Sequence, residues 1–269
     1  MSTDSQRSER LMLTDQVREE IAGKPLCVHA SMRSFTPRLA PDVLLDALLG
    51  LGCTVMMPTF TYALEQPPPV VGRPERNGMD DSFGGLGHGR CYDSAENELS
   101  QADMGALPAA LLRRSRERGE HPLNSFASVG PLSAELIARQ TLQDVYGPFE
   151  ALIEHDGLVL LAGVGCTSLT LIHYAEQLAG RTLFQRWARA ADGCVVACAT
   201  GSCSTAFDRF DEVLSERAFE VRGSRWRIME AGTAASQAAA AIRADQRMTH
   251  CGRSTCLRCR DGLAGGPLL

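Results

Sequence analysis

The sequence predicts an α/β fold: a central mixed sheet flanked by helices, a long inserted loop at 66–99, and a small cysteine-bearing tail at 248–269. Three observations predict it. Short apolar runs alternate with segments of helical periodicity along most of the chain. The most apolar run, 158–164, reads as a strand buried on both faces. Near the start, strand, helix and strand follow one another within about forty residues, the size of a βαβ unit. No internal repeat and no clean linker divides the chain, so one domain is expected over 1–269.

Asp15–Ile21 is charged and helix-compatible, and Gly23 with Pro25 stops it. Leu26-Cys-Val-His29 reads as a strand that opens into the small polar turn Ala30-Ser-Met-Arg-Ser34. Pro41–Leu49 carries Val43, Leu44, Ala47 and Leu48 at helical spacing, with proline in the first turn and Gly50 at the end. Cys53-Thr-Val-Met-Met57 reads as a second strand closed by Pro58. The stretch 66–99 holds three successive prolines, several glycines and few aliphatics, so it is expected as a long excursion. Beyond it, 103–118 reads as a helix with Asp103 near its start and Arg113, Arg114, Arg116 and Arg118 near its end, an order that suits the helix dipole. Helices are expected at 132–139, 148–155, 167–179 and 233–247, and strands at 158–164, 194–199 and 225–229.

Composition narrows the function. A net charge of −5 argues against a general nucleic-acid binder, which is usually basic. No apolar run approaches the roughly 20 residues that span a bilayer, so no membrane partner is expected. The first ten residues are polar with no apolar segment after them, which argues against a secretory signal. With no such signal, ten cysteines in a chain of 269 residues fit reduced thiols in a cytoplasm better than a disulfide framework.

The most informative stretch runs from Val159 to Glu176. A buried strand ends in a turn with Gly163 and Gly165, and a helix begins behind a Thr or Ser cap. The third position of a dinucleotide fingerprint holds Ser168, so that motif is incomplete. Thr170, His173 and Glu176 are spaced three apart. Each step turns about 60° around a helix, so the three form one diagonal stripe whose neighbours can touch. A carboxylate on one ring nitrogen fixes the tautomer and raises the basicity of the other, which is how a histidine becomes a general base. A plain surface pair is the structural alternative. Two further stretches carry polar groups at expected turns. The hydroxyls, amides and arginine of Ser31, Met32, Arg33 and Ser34 could hold a phosphate, and His121-Pro-Leu-Asn-Ser-Phe126 could be a binding turn. An exposed βα turn and a capped loop are their structural alternatives. The excursion carries Asp80, Asp81, Asp93, Glu96 and Glu98, with Asp103 following. They form either a solvated loop or an acidic rim for a cationic substrate.

In order, Val28-His-Ala-Ser-Met-Arg-Ser34, Cys53-Thr-Val-Met-Met-Pro-Thr-Phe-Thr-Tyr62, Met104-Gly-Ala-Leu-Pro108, His121-Pro-Leu-Asn-Ser-Phe126, Tyr146-Gly-Pro148 and Leu160-Leu-Ala-Gly-Val-Gly165 through His173 and Glu176 resemble the aminoglycoside N3-acetyltransferase family. These antibiotic N-acetyltransferases are distinct from the GNAT fold. The resemblance implies acetyl transfer from acetyl-coenzyme A to the 3-amino group of a 2-deoxystreptamine aminoglycoside. It implies His173 as general base, Glu176 as its orienting acid and Thr170 near the acyl group. It also implies a coenzyme A cleft built partly from Ser31, Met32, Arg33, Ser34, His121, Ser125 and Phe126. Tyr62, Glu65, Asp103 and Tyr146 are the expected acceptor contacts. The sequence departs from the family pattern at Ala30, at Ala109 and along 66–99. The alternatives are therefore the same chemistry on a biosynthetic amine, or a non-catalytic metal-binding homologue.

The tail holds Cys251, Cys256 and Cys259 at a C-x4-C-x2-C spacing, preceded by His250. The spacing opens a plant-type [2Fe–2S] pattern, but no fourth cysteine follows. His250 with the three cysteines could instead hold structural zinc, or the thiols could be unligated or form a disulfide. Cys194, Cys198 and Cys203 are expected as small buried apolar groups.

Overall fold

The computed structural model describes residues 11–79, 89–96 and 98–268. Its strands are β1 (Pro25–Ala30), β2 (Thr54–Pro58), β3 (Glu65–Gln66), β4 (Glu117–Arg118), β5 (Phe126–Val129), β6 (Leu158–Ala162), β7 (Phe184–Arg189), β8 (Val195–Thr200), β9 (Arg217–Val221) and β10 (Ser224–Glu230). The main sheet has the order β4-β5-β2-β1-β6-β10-β9. β1 runs parallel to β2 and β6, and the flanking pairs are antiparallel, so the sheet is mixed. A smaller sheet joins β3, β7 and β8.

The period-2 rule explains the layering. Cys27, Val159 and Leu161 point to one face, while Leu26, Val28, Leu158 and Leu160 point to the other. The first face is covered by α5 (Ser133–Ala138), α6 (Pro148–Glu154), α7 (Leu171–Leu178) and α8 (Ala231–Ala244). The second is covered by α1 (Asp15–Ile21), α2 (Pro41–Leu49) and α4 (Ala106–Leu112), which lies just beyond the short α3 (Gln101–Met104). Both faces of β1 and β6 are thus buried, which is why these strands read as unbroken apolar runs. In α8 the buried positions are mostly alanine, so α8 and α7 pack with little side-chain bulk between them.

Four sequence-based expectations need correction. The helix expected over 103–118 breaks at Gly105, whose φ is +83°, and ends at Leu112; Arg118 lies in β4. The helix expected over 167–179 starts later. Cys166–Ser168 is a 3-10 turn, α7 begins at Leu171, and neither has a side-chain cap. The polar 121–127 stretch runs into β5, a strand paired on both sides. Of the three cysteines near β8, only Cys198 is buried.

Arg118 is buried because it performs a structural job. Its guanidinium donates to the carbonyls of Thr59, Glu96 and Glu98 at 2.8, 2.7 and 2.8 Å and to the Ser125 hydroxyl at 3.1 Å. It also lies over the Tyr92 ring. It thereby ties the far end of the 66–99 excursion to the main sheet. Arg118→Met keeps the aliphatic stem and leaves those acceptors unpaired. We expect a loss of roughly 2–4 kcal/mol in equilibrium denaturation. An unchanged midpoint and slope would show that the excursion is held by other contacts.

Candidate active site

The three parallel strands place the site. β1 leads through α2 on one face of the sheet to β2, and β5 leads through α5 and α6 on the other face to β6 on the far side of β1, so a switch point lies between β1 and β6, where a crevice opens at the carboxyl ends. A cavity of 760 Å³ lies there. Its walls come from the end of β1 and the turn after it, from Pro58, Phe60 and Tyr62, from 102–108, and from 164–170 with His173. The turn after β6 depends on Gly163. Its φ is +68°, and a Cβ there would sit 2.0 Å from the Ser34 hydroxyl.

His173 stands on the first turn of α7, with its side chain 12% exposed. Its Nδ1 lies 2.9 Å from Glu176 Oε2. Tyr146 stacks on one side of the ring at 5.8 Å, and Phe207 lies 4.8 Å away. Gly201 closes over it: a Cβ there would come within 2.6 Å of His173 Cγ and 2.5 Å of the Tyr146 hydroxyl. Among the described residues, His173 Nε2 engages no hydrogen-bond partner, and the ring faces the cavity.

Glu176 is almost wholly buried. Its Oε1 lies 2.6 Å from Arg181 Nη1, and the Ser202 hydroxyl reaches Oε1 and Oε2 at 2.8 and 2.7 Å. Burial pushes its carboxyl up. The hydrogen bonds from His173 and Ser202 and the charges of His173 and Arg181 outweigh burial and hold it below the usual carboxylate value. It is therefore ionised at neutral pH. A carboxylate only accepts, so Nδ1 carries a proton toward Glu176 and Nε2 is the nitrogen left toward the cavity.

Thr170 occupies the N-cap position of α7 and lines the cavity, but its hydroxyl makes no hydrogen bond to His173. Ser31, Met32 and Arg33 also line it, as do Tyr62 and Asp103. The other candidates sit behind the wall. Ser34 bonds the Ser31 carbonyl and the Ser224 hydroxyl, each at 2.7 Å. His121 is 1% exposed and reaches the Ala199 carbonyl at 2.8 Å through Nε2. Its Nδ1 accepts the Asn124 amide at 2.9 Å. Ser125 bonds Thr59 and Arg118, and Phe126 is in the core against Phe60 and Tyr146. Glu65 is paired with Arg186 at 3.3 Å, and Tyr146 lies beneath His173. Of the acidic rim, Asp80 and Asp81 lie outside the described residues, Glu98 is paired with Arg90, and Asp103 alone of the described set reaches the cavity.

Sequence reasoning missed Ser202, Arg181, Gly201 and Phe207. Ser202 follows β8, 26 residues beyond Glu176, and carries no local signal. Arg181 lay within reach of inspection, since it stands just past Gly180 at the end of α7.

A sequence model of the aminoglycoside 3-N-acetyltransferase family matches residues 27–257. The chain belongs to this family. Aminoglycoside N(3)-acetyltransferase IX of Micromonospora chalcea is 44% identical over 94 residues, 33% of this chain and 34% of that protein. Aminoglycoside N(3)-acetyltransferase IV of Salmonella sp. is 30% identical over 165 residues, 58% of this chain and 53% of that protein. The chain thus spans between about a third and about a half of the length of these two curated family members. The fold agrees more widely. The aminoglycoside acetyltransferase AAC(3)-IVa apoenzyme superposes with a TM-score of 0.67 at 24% identity, covering 91% of both chains. A histidine-to-alanine mutant of that family member was solved in complex with a gentamicin; it has a TM-score of 0.68 at 24% identity and covers 90% of this chain and 91% of its own.

The packing around His173 can be tested directly. Gly201→Ala forces the His173 ring out of its slot. The expected result is a fall in activity together with a stability loss of about 1–3 kcal/mol from overpacking, and unaltered activity and melting would show that the slot tolerates a methyl group. The buried histidines bear on pH. Burial lowers the pKa of His29 and of His121 to about 4, against 6.5 ordinarily. The unfolded chain then takes up protons as pH falls below 6.5, and the folded chain does so only near 4. Stability present above 6.5 is therefore lost across that window, by up to roughly 3 kcal/mol per histidine. Denaturant titrations at pH 7 and pH 5 should show a smaller drop for His121→Gln than for the native chain. An equal drop would mean that His121 does not contribute to the slope.

Proposed function

We propose that this chain is an acetyl-coenzyme A-dependent N-acetyltransferase acting on the 3-amino group of a 2-deoxystreptamine aminoglycoside. The observation that carries the reading is an imidazole that lines the cavity with its Nε2 unbonded among the described residues and its other nitrogen tied to a buried, ionised carboxylate. An amine at neutral pH is largely an ammonium and cannot attack a thioester until it loses a proton. In this reading His173 Nε2 takes that proton while Glu176 stabilises the imidazolium that forms. The nitrogen bonds to the acetyl carbonyl carbon, the carbon–sulfur bond breaks, the departing thiolate of coenzyme A takes the proton held on His173, and the nitrogen releases its second proton to solvent. No covalent acyl-enzyme is needed, so no cysteine need act as nucleophile. Most of the acceleration then comes from holding amine and thioester together and stabilising the developing oxyanion, a role we assign to Thr170 because it lines the cavity.

We assign Ser31, Met32 and Arg33 to the coenzyme and Tyr62 and Asp103 to the acceptor, because these line the cavity. Ser34, His121, Ser125, Phe126, Glu65 and Tyr146 would act through the walls they support. The gentamicin complex of AAC(3)-IVa supports an aminosugar acceptor. One observation favours a second reading, the same chemistry on a less cationic biosynthetic amine: Asp103 is the one carboxylate among the described residues lining the cavity.

The test is thiol release from acetyl-coenzyme A with a panel of 2-deoxystreptamine aminoglycosides. Turnover on at least one member is expected. His173→Ala should cost on the order of 10²–10⁴ in kcat. Glu176→Gln should cost less, because the carboxamide can still hold the ring. Turnover confined to simpler amines would move the acceptor to the second reading. Full activity in His173→Ala would exclude the mechanism.

A further inference from the structure

The thiols of Cys203, Cys251, Cys256 and Cys259 converge, all four Sγ atoms lying within 4.8 Å of one another. The tail cysteines therefore do have a fourth partner, and it lies 48 residues upstream of Cys251 rather than downstream. His250 is not in the cluster; its Nδ1 accepts the Gly252 amide at 3.0 Å.

We propose that these four thiolates hold one structural zinc ion that pins the loop carrying Ser202. Zinc takes four sulfur ligands tetrahedrally at about 2.3 Å, which sets their mutual separations at ~3.8 Å. The observed cluster needs only a small contraction to reach that. Sulfurs this close leave no room between them for the two irons and two sulfides of a [2Fe–2S] cluster. The ligand spacing also suits zinc, with a C-x2-C pair at Cys256 and Cys259 and two further cysteines supplied by separate segments. The surroundings resemble those of a metal thiolate in one respect: the Cys251 amide donates to Cys259 Sγ at 3.3 Å. Binding releases the thiol protons and leaves a centre of net charge −2, which backbone amide donors of this kind partly offset.

The position of the cluster gives it a role beyond folding the tail. Glu176 has three side-chain partners, and two are anchored beside the cluster. Ser202 is next to Cys203 in sequence. Arg181 reaches Thr249 Oγ1 and the Gln246 carbonyl, each at 2.6 Å, and Thr249 lies two residues before Cys251. A metal joining Cys203 to the tail fixes both supports of the carboxylate relative to α7. Ser204, on the other side of Cys203, reaches the cavity wall. Ser202 and Arg181 are thus positioning residues, and the metal acts through them. This second part rests on the reading of His173 and Glu176 given above; the existence of the metal site does not.

The experiment uses the whole chain purified without chelator. Elemental analysis should find about one zinc per chain. Cobalt substitution should give the intense absorption of a tetrahedral tetrathiolate. Cys203→Ser should lose the metal and lower the melting temperature, whereas His250→Ala should keep both. Native protein with no zinc, with paired disulfides, or with four thiols that fail to take up added zinc would overturn the site without any variant having to fold. Retention of zinc in Cys203→Ser with loss in His250→Ala would overturn the ligand assignment. For the positioning role, zinc removal should lower kcat roughly tenfold to a hundredfold while coenzyme A binding, read by calorimetry, stays within about twofold. Equal loss of both would mean that the metal merely folds the chain. Zinc content and melting are read without turnover, so a chain that acetylates nothing can still pass or fail the metal test.

Discussion

A single buried carboxylate, Glu176, organises this molecule. An ionised group that leaves water carries a desolvation cost of several kcal/mol unless its oxygens are paired and hydrogen-bonded. Here His173, Ser202 and Arg181 supply those bonds, from α7 itself, from the loop after β8, and from the segment just past α7. The partners are linked in turn. Arg181 continues to Thr249 and Gln246, and the His173 ring is held between Tyr146 and Phe207. Removing one partner leaves the charge buried and under-satisfied, so these contacts form and fail together. The main sheet is the floor under this arrangement: β6 ends in the Gly163 turn, and α7 follows within nine residues.

That floor was legible in the sequence because it obeys local rules. The strands β1, β2 and β6 are apolar runs closed by glycine, proline or small polar residues, and α7 follows with His173 and Glu176 one turn apart. The pair could be read because the spacing of a helix makes them neighbours whatever the rest of the chain does. The missed parts are set by long-range pairing. β5 contains Ser128 and follows a polar stretch, and its identity as a strand comes from β2 and β4 on either side. Arg118 looked like the charged end of a helix, because nothing nearby in sequence reveals the carbonyls from 59, 96 and 98 that receive it. Cys203 looked like a lone core thiol because its neighbours lie at 251, 256 and 259.

The polar residues of the 121–126 turn show the same limit from the other side. Their types suit a binding site, yet the fold uses them as structure. His121 braces the Asn124 amide against the Ala199 carbonyl, and Ser125 joins Thr59 to Arg118. Both act at one remove from the cavity, because Thr59 follows β2 and Ala199 lies in β8, whose end leads to Gly201 and Ser202. Residues of this kind can be retained with a function without touching a ligand. A motif resemblance cannot by itself separate a wall from its support.

The loop 201–204 concentrates the remaining constraints into four consecutive residues. Gly201 must lack a side chain because the imidazole and the Tyr146 hydroxyl occupy that space. Ser202 must reach both oxygens of Glu176, Cys203 must face the tail thiols, and Ser204 closes the cavity wall. A loop with no regular backbone pairing loses conformational entropy on being fixed, and each residue here needs its own orientation. The contacts of Ser202 and Gly201 restrain it from the α7 side only. The tail meets it from the other side at Cys203. The metal proposed at the four thiols would turn that contact into a second restraint, placed where the tail returns to the loop that carries Ser202.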